Sequence, residues 1–382
     1  MKSTDRSNHY KIFIKGKLDE RWLRWFEGLE VTSSPDNETI IYGEFDQSAL
    51  HGVFNRIRDL GLELISVQQQ DSDSEKMKIG KDIAMSHFQI PQDLFHEQGY
   101  KRIDGIDHFY RIVGTGEPFV FLHGGPGMWH DELVPSFFEF AKDHQCIYYD
   151  QRGNGKSLME KIDATNFTTD LLVDDLEAIR KEFGLEEVNI IGHSWGGLLG
   201  MYYASKYPQN MKRLILVDPA PSNTELLIKS YENMMARFSE ADWNHLQAIY
   251  ESEPYLAGDP DAHNEAMRLS EGVTFFNEQA REEYFKIAVF DETTAKNAVA
   301  INGPARSMKL NITVQDQLSN ITCPTLIVQG KEDFIVIEAA ELTHSLIGNS
   351  KLIYIANSGH YPFMEAPNEF FTTLNTFIEE IR

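Results

Sequence analysis

Between Val188 and Tyr207 an apolar run, VNII, passes through Gly192-His193-Ser194-Trp195-Gly196-Gly197 into the helical stretch LLGMYYASKY. No other feature limits the fold as much. A serine on a tight strand-to-helix turn tolerates only glycine nearby, because strand and helix must approach closely while Oγ projects above the sheet. Such a turn needs a strand with a helix packed against it, and the chain repeats that unit. Short β-branched runs at Phe119–His123, Cys146–Asp150, Val188–Gly192, Leu214–Asp218, Thr325–Gly330 and Leu352–Ala356 each end at a Gly-rich or acidic turn. Helical stretches at Thr168–Phe183, Leu198–Tyr207, Ala339–Ile347 and Asn368–Ile381 lie between or after them. Alternation of this kind predicts an α/β fold, a mostly parallel sheet flanked by helices on both faces.

Two segments depart from the alternation. From Pro221 to Leu318 helix formers and aromatics replace the β-branched runs, which predicts a helical cap insertion over residues 221–318. Residues 221–300 hold 15 acidic against 6 basic side chains. Most of these read as a solvated helical surface; any that face a cleft would favour an amine-bearing substrate. The core is then 97–220 together with 319–382. At the other end, His9–Lys15, Leu29–Ser34, Glu38–Phe45 and Leu62–Gln68 read as strands, with helical periodicity at Asp19–Glu30 and Gln47–Leu60. The order β-α-β-β-α-β predicts a small α+β ferredoxin-like domain over residues 1–75. Its only histidines, His9 and His51, stand alone, so it reads as an accessory or dimerisation module, a route to a homo-oligomer, or as a packing appendage. The polar stretch QQQDSDSEKMKIGK then opens a linker over 76–96.

Composition narrows the partners. With 35 Lys+Arg against 59 Asp+Glu, a net charge of −24, the chain would repel nucleic acid and anionic lipid, and no basic patch offsets this. Cys146 and Cys323 sit in apolar runs and read as buried core residues, not as a disulfide or metal site. With no apolar leader and no run near the ~20 residues of a membrane span, a cytoplasmic protein is the expectation.

Serine is a weak nucleophile until a base takes its proton and an acid orients that base, in the chain order Ser, Asp/Glu, His for this strand–turn–helix arrangement. The run TLIVQG ends in Lys331-Glu332-Asp333 and KLIYIA ends in Asn357-Ser358-Gly359-His360, each just past a predicted strand, where open α/β sheets place their ligands. Glu332 and Asp333 are both candidate acids, and His360 is the candidate base. His193, beside the serine, reads as support for the turn. An oxyanion would take the Trp195 N–H and a second amide from the loop His123-Gly124-Gly125-Pro126-Gly127, with Gly125 the choice. Gly155-Lys156-Ser157 imitates a phosphate loop, but Asp150 stands where that motif needs glycine. The chemistry calls for no metal and no cofactor.

Taken together, HGGPG at 123–127, DQRGNGKS at 150–157, GHSWGG at 192–197, GKED at 330–333 and SGH at 358–360 resemble the α/β-hydrolase superfamily and, within it, the proline iminopeptidase-like serine aminopeptidases. The resemblance runs from about residue 97 to the end. It implies an α/β-hydrolase fold with a helical cap, a Ser194–His360–Asp333 triad with Asp333 preferred over Glu332, and a short-peptide or other small-molecule substrate. It also implies cap acids that bind the substrate's α-amino group, for which Glu265 and Glu271 are candidates. One family segment reads Gly-Pro-x-Glu-Phe, whereas this chain has Gly303-Pro304-Ala305-Arg306-Ser307. An arginine there would repel an ammonium and favour a carboxylate or a neutral acyl group. Three readings follow: an aminopeptidase on short peptides; a carboxylesterase, amidase or lactonase; and a non-catalytic receptor on the same fold.

Overall fold

The structure, a computed structural model, describes residues 8–15, 30–33, 38–45, 64–70, 88–309 and 311–381, together with Val53, Ile57 and Leu62. The chain divides into two compact units, Met1–Ala84 and Met85–Arg382. In the first, β1 (Asn8–Lys15), β2 (Glu30–Ser33), β3 (Glu38–Phe45) and β4 (Leu64–Gln70) form one sheet in the order β2-β3-β1-β4. Every neighbouring pair is antiparallel. Ile12 and Ile14, two apart on β1, and Ile41, the partner of Ile12 on β3, are fully buried. All four anticipated strands are present. The two helical stretches anticipated there lie outside the described residues except at Glu30, which starts β2, and at Val53 and Ile57, which are helical and buried.

The second unit is built on eight strands: β5 (Phe95–Ile103), β6 (Ile106–Val113), β7 (Glu117–Leu122), β8 (His144–Tyr149), β9 (Val188–His193), β10 (Met211–Val217), β11 (Thr325–Gly330) and β12 (Ser350–Ile355). Their order is β12-β11-β10-β9-β7-β8-β6-β5. From β8 to β12 every pairing is parallel, while β6 pairs antiparallel with both β8 and β5. Strict alternation splits each central strand between two cores. On β7, Val120 and Leu122 pack with Leu176, Leu198 and Leu216 on one face. Phe119 and Phe121 pack with Phe137, Tyr148 and Phe370 on the other. Both faces are apolar because helices cover both, which is why these strands read as unbroken apolar runs.

The hairpin β5–β6 was not anticipated as strands. Asp104 and Gly105, both at positive φ (48° and 79°), form its two-residue turn, and such an Asp-Gly pair is a hairpin signal in its own right. β5 also begins inside the stretch expected as linker, and Phe88, Ile90 and Leu94 pack against the core. Between β10 and β11 the chain is helical, and five helix starts are set by capping side chains. Asn223, Ser239, Ser252, Asp259 and Asn277 each accept a backbone N–H from the first turn of their helix.

A buried ion pair ties the loop after β8 to the helix Thr169–Glu182. Arg152 donates Nε and Nη2 to the two Asp175 oxygens at 2.6 Å each, both side chains being about 3% exposed. Removing one partner strands the other charge away from water. Asp175→Ala is therefore expected to cost about 3–5 kcal/mol, read as a lower midpoint in denaturant-induced unfolding.

Candidate active site

Ser194 leaves β9 at φ 53°, ψ −119°, a left-handed conformation that costs a non-glycine residue roughly 1–3 kcal/mol. Its surroundings hold it there. The Ser194 N–H donates to Val217 O at 3.0 Å, and Ser194 O accepts from Ala220 N at 2.9 Å. A Cβ on Gly192 would lie 2.5 Å from Gly196 O, one on Gly196 2.1 Å from Leu122 O, and one on Gly197 2.8 Å from the Pro219 Cβ. The glycines are therefore required by contact with β7, the helix and the loop after β10.

His360 follows β12 and is 3% exposed; its Nδ1 lies 2.9 Å from Asp333 Oδ1, just past β11. Of the two adjacent acids, Asp333 reaches the imidazole while Glu332 is exposed. His193 Nε2 bonds His360 O at 2.8 Å and the His360 N–H donates to Thr274 O at 3.0 Å, so ring and backbone are both fixed. Burial alone would lower the His360 pKa; the charge and hydrogen bond of Asp333, with Glu271 and Glu132 behind it, outweigh burial and raise it above 6.5. Beyond Asp333 stands Asp218, at the end of β10 and fully buried. One of its oxygens accepts from Gly330 N at 2.8 Å, and the other finds no donor. Donor atoms of Asp218, Asp333 and His360 lie within 4.8 Å of one another. Such a trio has the ligand types of a cation site, but burial and the Asp333 charge push the Asp218 pKa far above the carboxylate range. Asp333 Oδ2 itself accepts from Gln329 Nε2 at 3.2 Å.

The loop after β7 supplies amides. Gly124 N donates to Glu132 Oε1 at 2.6 Å and Gly127 N to Asn154 Oδ1 at 2.7 Å, which leaves the Gly125 N–H uncommitted. The Trp195 N–H is among the donors that a helix start leaves without an intrahelical partner. DQRGNGKS holds this loop. Gln151 bonds His123 twice, at 2.9 and 3.1 Å, and its Oε1 accepts from the Trp195 indole at 3.0 Å. The Asp150 carboxylate accepts from His130 N, His130 Nδ1 and Lys156 N. Those donors and the nearby His130 charge hold its pKa below the usual carboxylate range against the effect of burial.

A cavity of about 680 Å³ opens above these groups, lined by Ser194, His360 and Gly125 with Glu132, Glu271 and Arg306. Of the anticipated cap acids only Glu271 reaches it, accepting from Tyr361 OH at 3.0 Å. Glu265 does not: the helix Pro260–Ser270 turns His263, Ala266 and Met267 inward, and Glu265 pairs with His245 in solvent, Nε2 to Oε1 3.1 Å. Glu132, 2% exposed, was not anticipated; its signal was three successive polar residues, His130-Asp131-Glu132, directly after the Gly-rich loop. Burial is outweighed by His193 and the Gly124 amide, which keep Glu132 ionised, whereas burial raises the Glu271 pKa. Glu365 is the other omission. Its Oε1 accepts from Gly359 N and Tyr361 N, and its Oε2 from Phe276 N and Asn277 N, all between 2.7 and 3.2 Å, which joins the His360 loop to the cap.

An NMR titration of the His360 ring is expected to give a pKa above 6.5, with Glu271→Gln lowering it. An unchanged value in that variant would remove Glu271 from the field at the imidazole.

Two family models match the chain. An α/β-hydrolase fold family covers residues 117–367, and a domain of unknown function, DUF8691, covers residues 9–68. The chain is 30% identical over 306 residues to a proline iminopeptidase of Saccharolobus solfataricus, an alignment spanning 75% of this chain and 93% of that one. It is 29% identical to another of Thermoplasma volcanium, over 74% and 97%. An α/β fold family hydrolase from Bacillus anthracis superposes with a TM-score of 0.58 at 20% identity, over 75% and 99%. Among the described residues no helix is long and apolar enough to cross a membrane. On the matched core and the similarity across three quarters of its length, the chain belongs to the α/β-hydrolase family and is a hydrolase of the proline iminopeptidase-like kind.

Proposed function

We propose that the protein is a serine aminopeptidase that releases an N-terminal residue from short peptides, with Ser194 as nucleophile, His360 as general base and Asp333 as the acid that orients it. The observation that carries this reading is the meeting, in one cavity, of Ser194 and His360 with two carboxyl groups, Glu132 and Glu271, that have no Lys or Arg partner among the described residues. A substrate ammonium is the cation that site lacks, and its arrival would hold Glu271 ionised.

In the proposed reaction His360 takes the Ser194 proton as Oγ attacks the carbonyl carbon. The amides of Gly125 and Trp195 stabilise the oxyanion. The imidazolium, steadied by Asp333, then protonates the departing amine as the C–N bond breaks, leaving an acyl-enzyme. Water, deprotonated by His360, completes hydrolysis by the same steps. Gln329 Nε2 donates to the second Asp333 oxygen at 3.2 Å, which leaves Oδ1 to the imidazole. The cap boundaries at about 221 and 319 belong to the same proposal, with the helices from Thr224 to Lys309 as the cap.

Initial rates on a proline arylamide, the same arylamide with its amine blocked, and a short-chain aryl ester test the reading. Arylamide turnover lost on blocking is expected; ester turnover alone would overturn it in favour of an esterase or lactonase, which Arg306 in the cavity would also suit. Ser194→Ala should abolish turnover with the fold intact, and Asp333→Asn should cost about 10⁴ in rate. Because the base must be neutral, kcat/KM should fall as pH drops through the raised His360 pKa, so the acid limb should lie above pH 6.5. Asp218→Asn, which keeps the shape and the Gly330 acceptor beside Asp333, should retain far more activity than Asp218→Ala, read from the same initial rates.

A further inference from the structure

We infer that the cavity is built for a zwitterion: a di- or tripeptide whose free ammonium is taken by Glu132 and Glu271 and whose free terminal carboxylate is taken by Arg306 and Lys309. The inference rests on the aminopeptidase reading above and narrows it from N-termini in general to peptides short enough to present both charged ends in one cavity.

The cationic side comes from a single helix. On Glu292–Lys309, the residues Ala298, Asn302, Ala305, Arg306 and Lys309 line the cavity, the spacing of one face of a 3.6-residue repeat. Arg306 and Lys309 are thus directed at the same space as Ser194. Neither has a carboxylate partner among the described residues; Lys309 Nζ instead donates to Tyr231 OH at 3.0 Å and lies 5.7 Å from that ring's centre. In a chain of net charge −24, whose cap segment is rich in Asp and Glu, two cations on the cavity wall without an acid beside them are conspicuous. Exposed lysines elsewhere in the cap do pair, Lys286 with Glu283 and Lys296 with Glu292.

The two charged sides are also kept apart. Glu132 and Glu271 form no ion pair with Arg306 or Lys309, although all four line the same cavity. Lys309 and Tyr231 also line a recess of about 30 Å³ together with Gly125, Ser194 and Trp195, and neither acid takes part in it. Ser194 therefore stands where the two sides meet. An extended peptide advances about 3.3–3.6 Å per residue, so two or three residues span roughly 7–11 Å from amine to carboxylate. A longer peptide would carry its carboxylate out of the cavity, and a blocked one would leave the guanidinium facing no charge. For a dipeptide the balance is simple: the peptide C–N bond breaks as the Ser194 Oγ–C bond forms, and the serine proton passes through His360 to the leaving nitrogen. The departing product is a free amino acid, its carboxylate still against Arg306. Water then releases the N-terminal residue from Ser194.

The test compares prolyl-alanine with prolyl-alaninamide and proline arylamide on the full-length protein, following release of each product. The free acid is expected to show at least about tenfold higher kcat/KM than the amide, as for one charge-assisted contact. Arg306→Ala and Lys309→Ala should shrink that ratio, and Arg306→Glu should abolish or invert it; Arg306 is exposed, and unfolding curves verify that each variant folds. Equal turnover of acid and amide by the native protein, or a ratio that survives both substitutions, overturns the zwitterion inference while arylamide turnover keeps the aminopeptidase reading. Turnover of esters with none of these amides overturns both.

Discussion

The site depends on one strained backbone. Ser194 at φ 53° is tolerable only while its own N–H and C=O are bonded to the ends of the neighbouring strand and loop and while no side chain occupies positions 192, 196 and 197. That constraint sets the distance between β9, β7 and the following helix, and so fixes the elements on which the other groups are mounted. Gly125 follows β7, Asp218 follows β10, Asp333 follows β11 and His360 follows β12. All leave the same edge of a parallel sheet, which is how residues up to 235 positions apart in sequence share one cavity.

Around the strained turn, buried acids do what regular secondary structure cannot. Asp150, Glu132 and Glu365 each accept backbone N–H groups from loops that would otherwise carry unsatisfied donors away from water. Asp218 and Asp333 pose the opposite difficulty, two carboxyl groups side by side, and burial together with the Asp333 charge raises the Asp218 pKa.

Much of this was legible in the sequence because the strands from β7 to β11 are largely buried on both faces and read as apolar runs ending in a turn, and the edge strand β12 still carries the apolar KLIYIA. The edge hairpin was harder: β5, FHEQGYKRI, is mixed and mostly half-exposed, and the two-residue turn after it was the better signal. At the site, Ser194, Asp333 and His360 stand out because motif and strand end coincide. Glu132, Asp218 and Glu365 do not, since each is one acid among 59 and is distinguished only by what the fold brings against it. Glu265 and Glu271 show the limit most clearly. They lie six residues apart, but one sits on the outer face of a helix and the other just past its end, where the chain turns back over the cavity.

The Glu365 carboxylate grips the cap only through main-chain N–H groups, those of Phe276 and Asn277, while Thr274 meets His360 through its own carbonyl. A seam made from backbone atoms is indifferent to side-chain identity. The helices on either side can therefore exchange residues, lengthen or re-sort their charges over generations without loosening the imidazole they adjoin. Selectivity and reactivity become separately heritable traits of one polypeptide, and a departure such as arginine at position 306 can arise while the groups around His360 stay as they are.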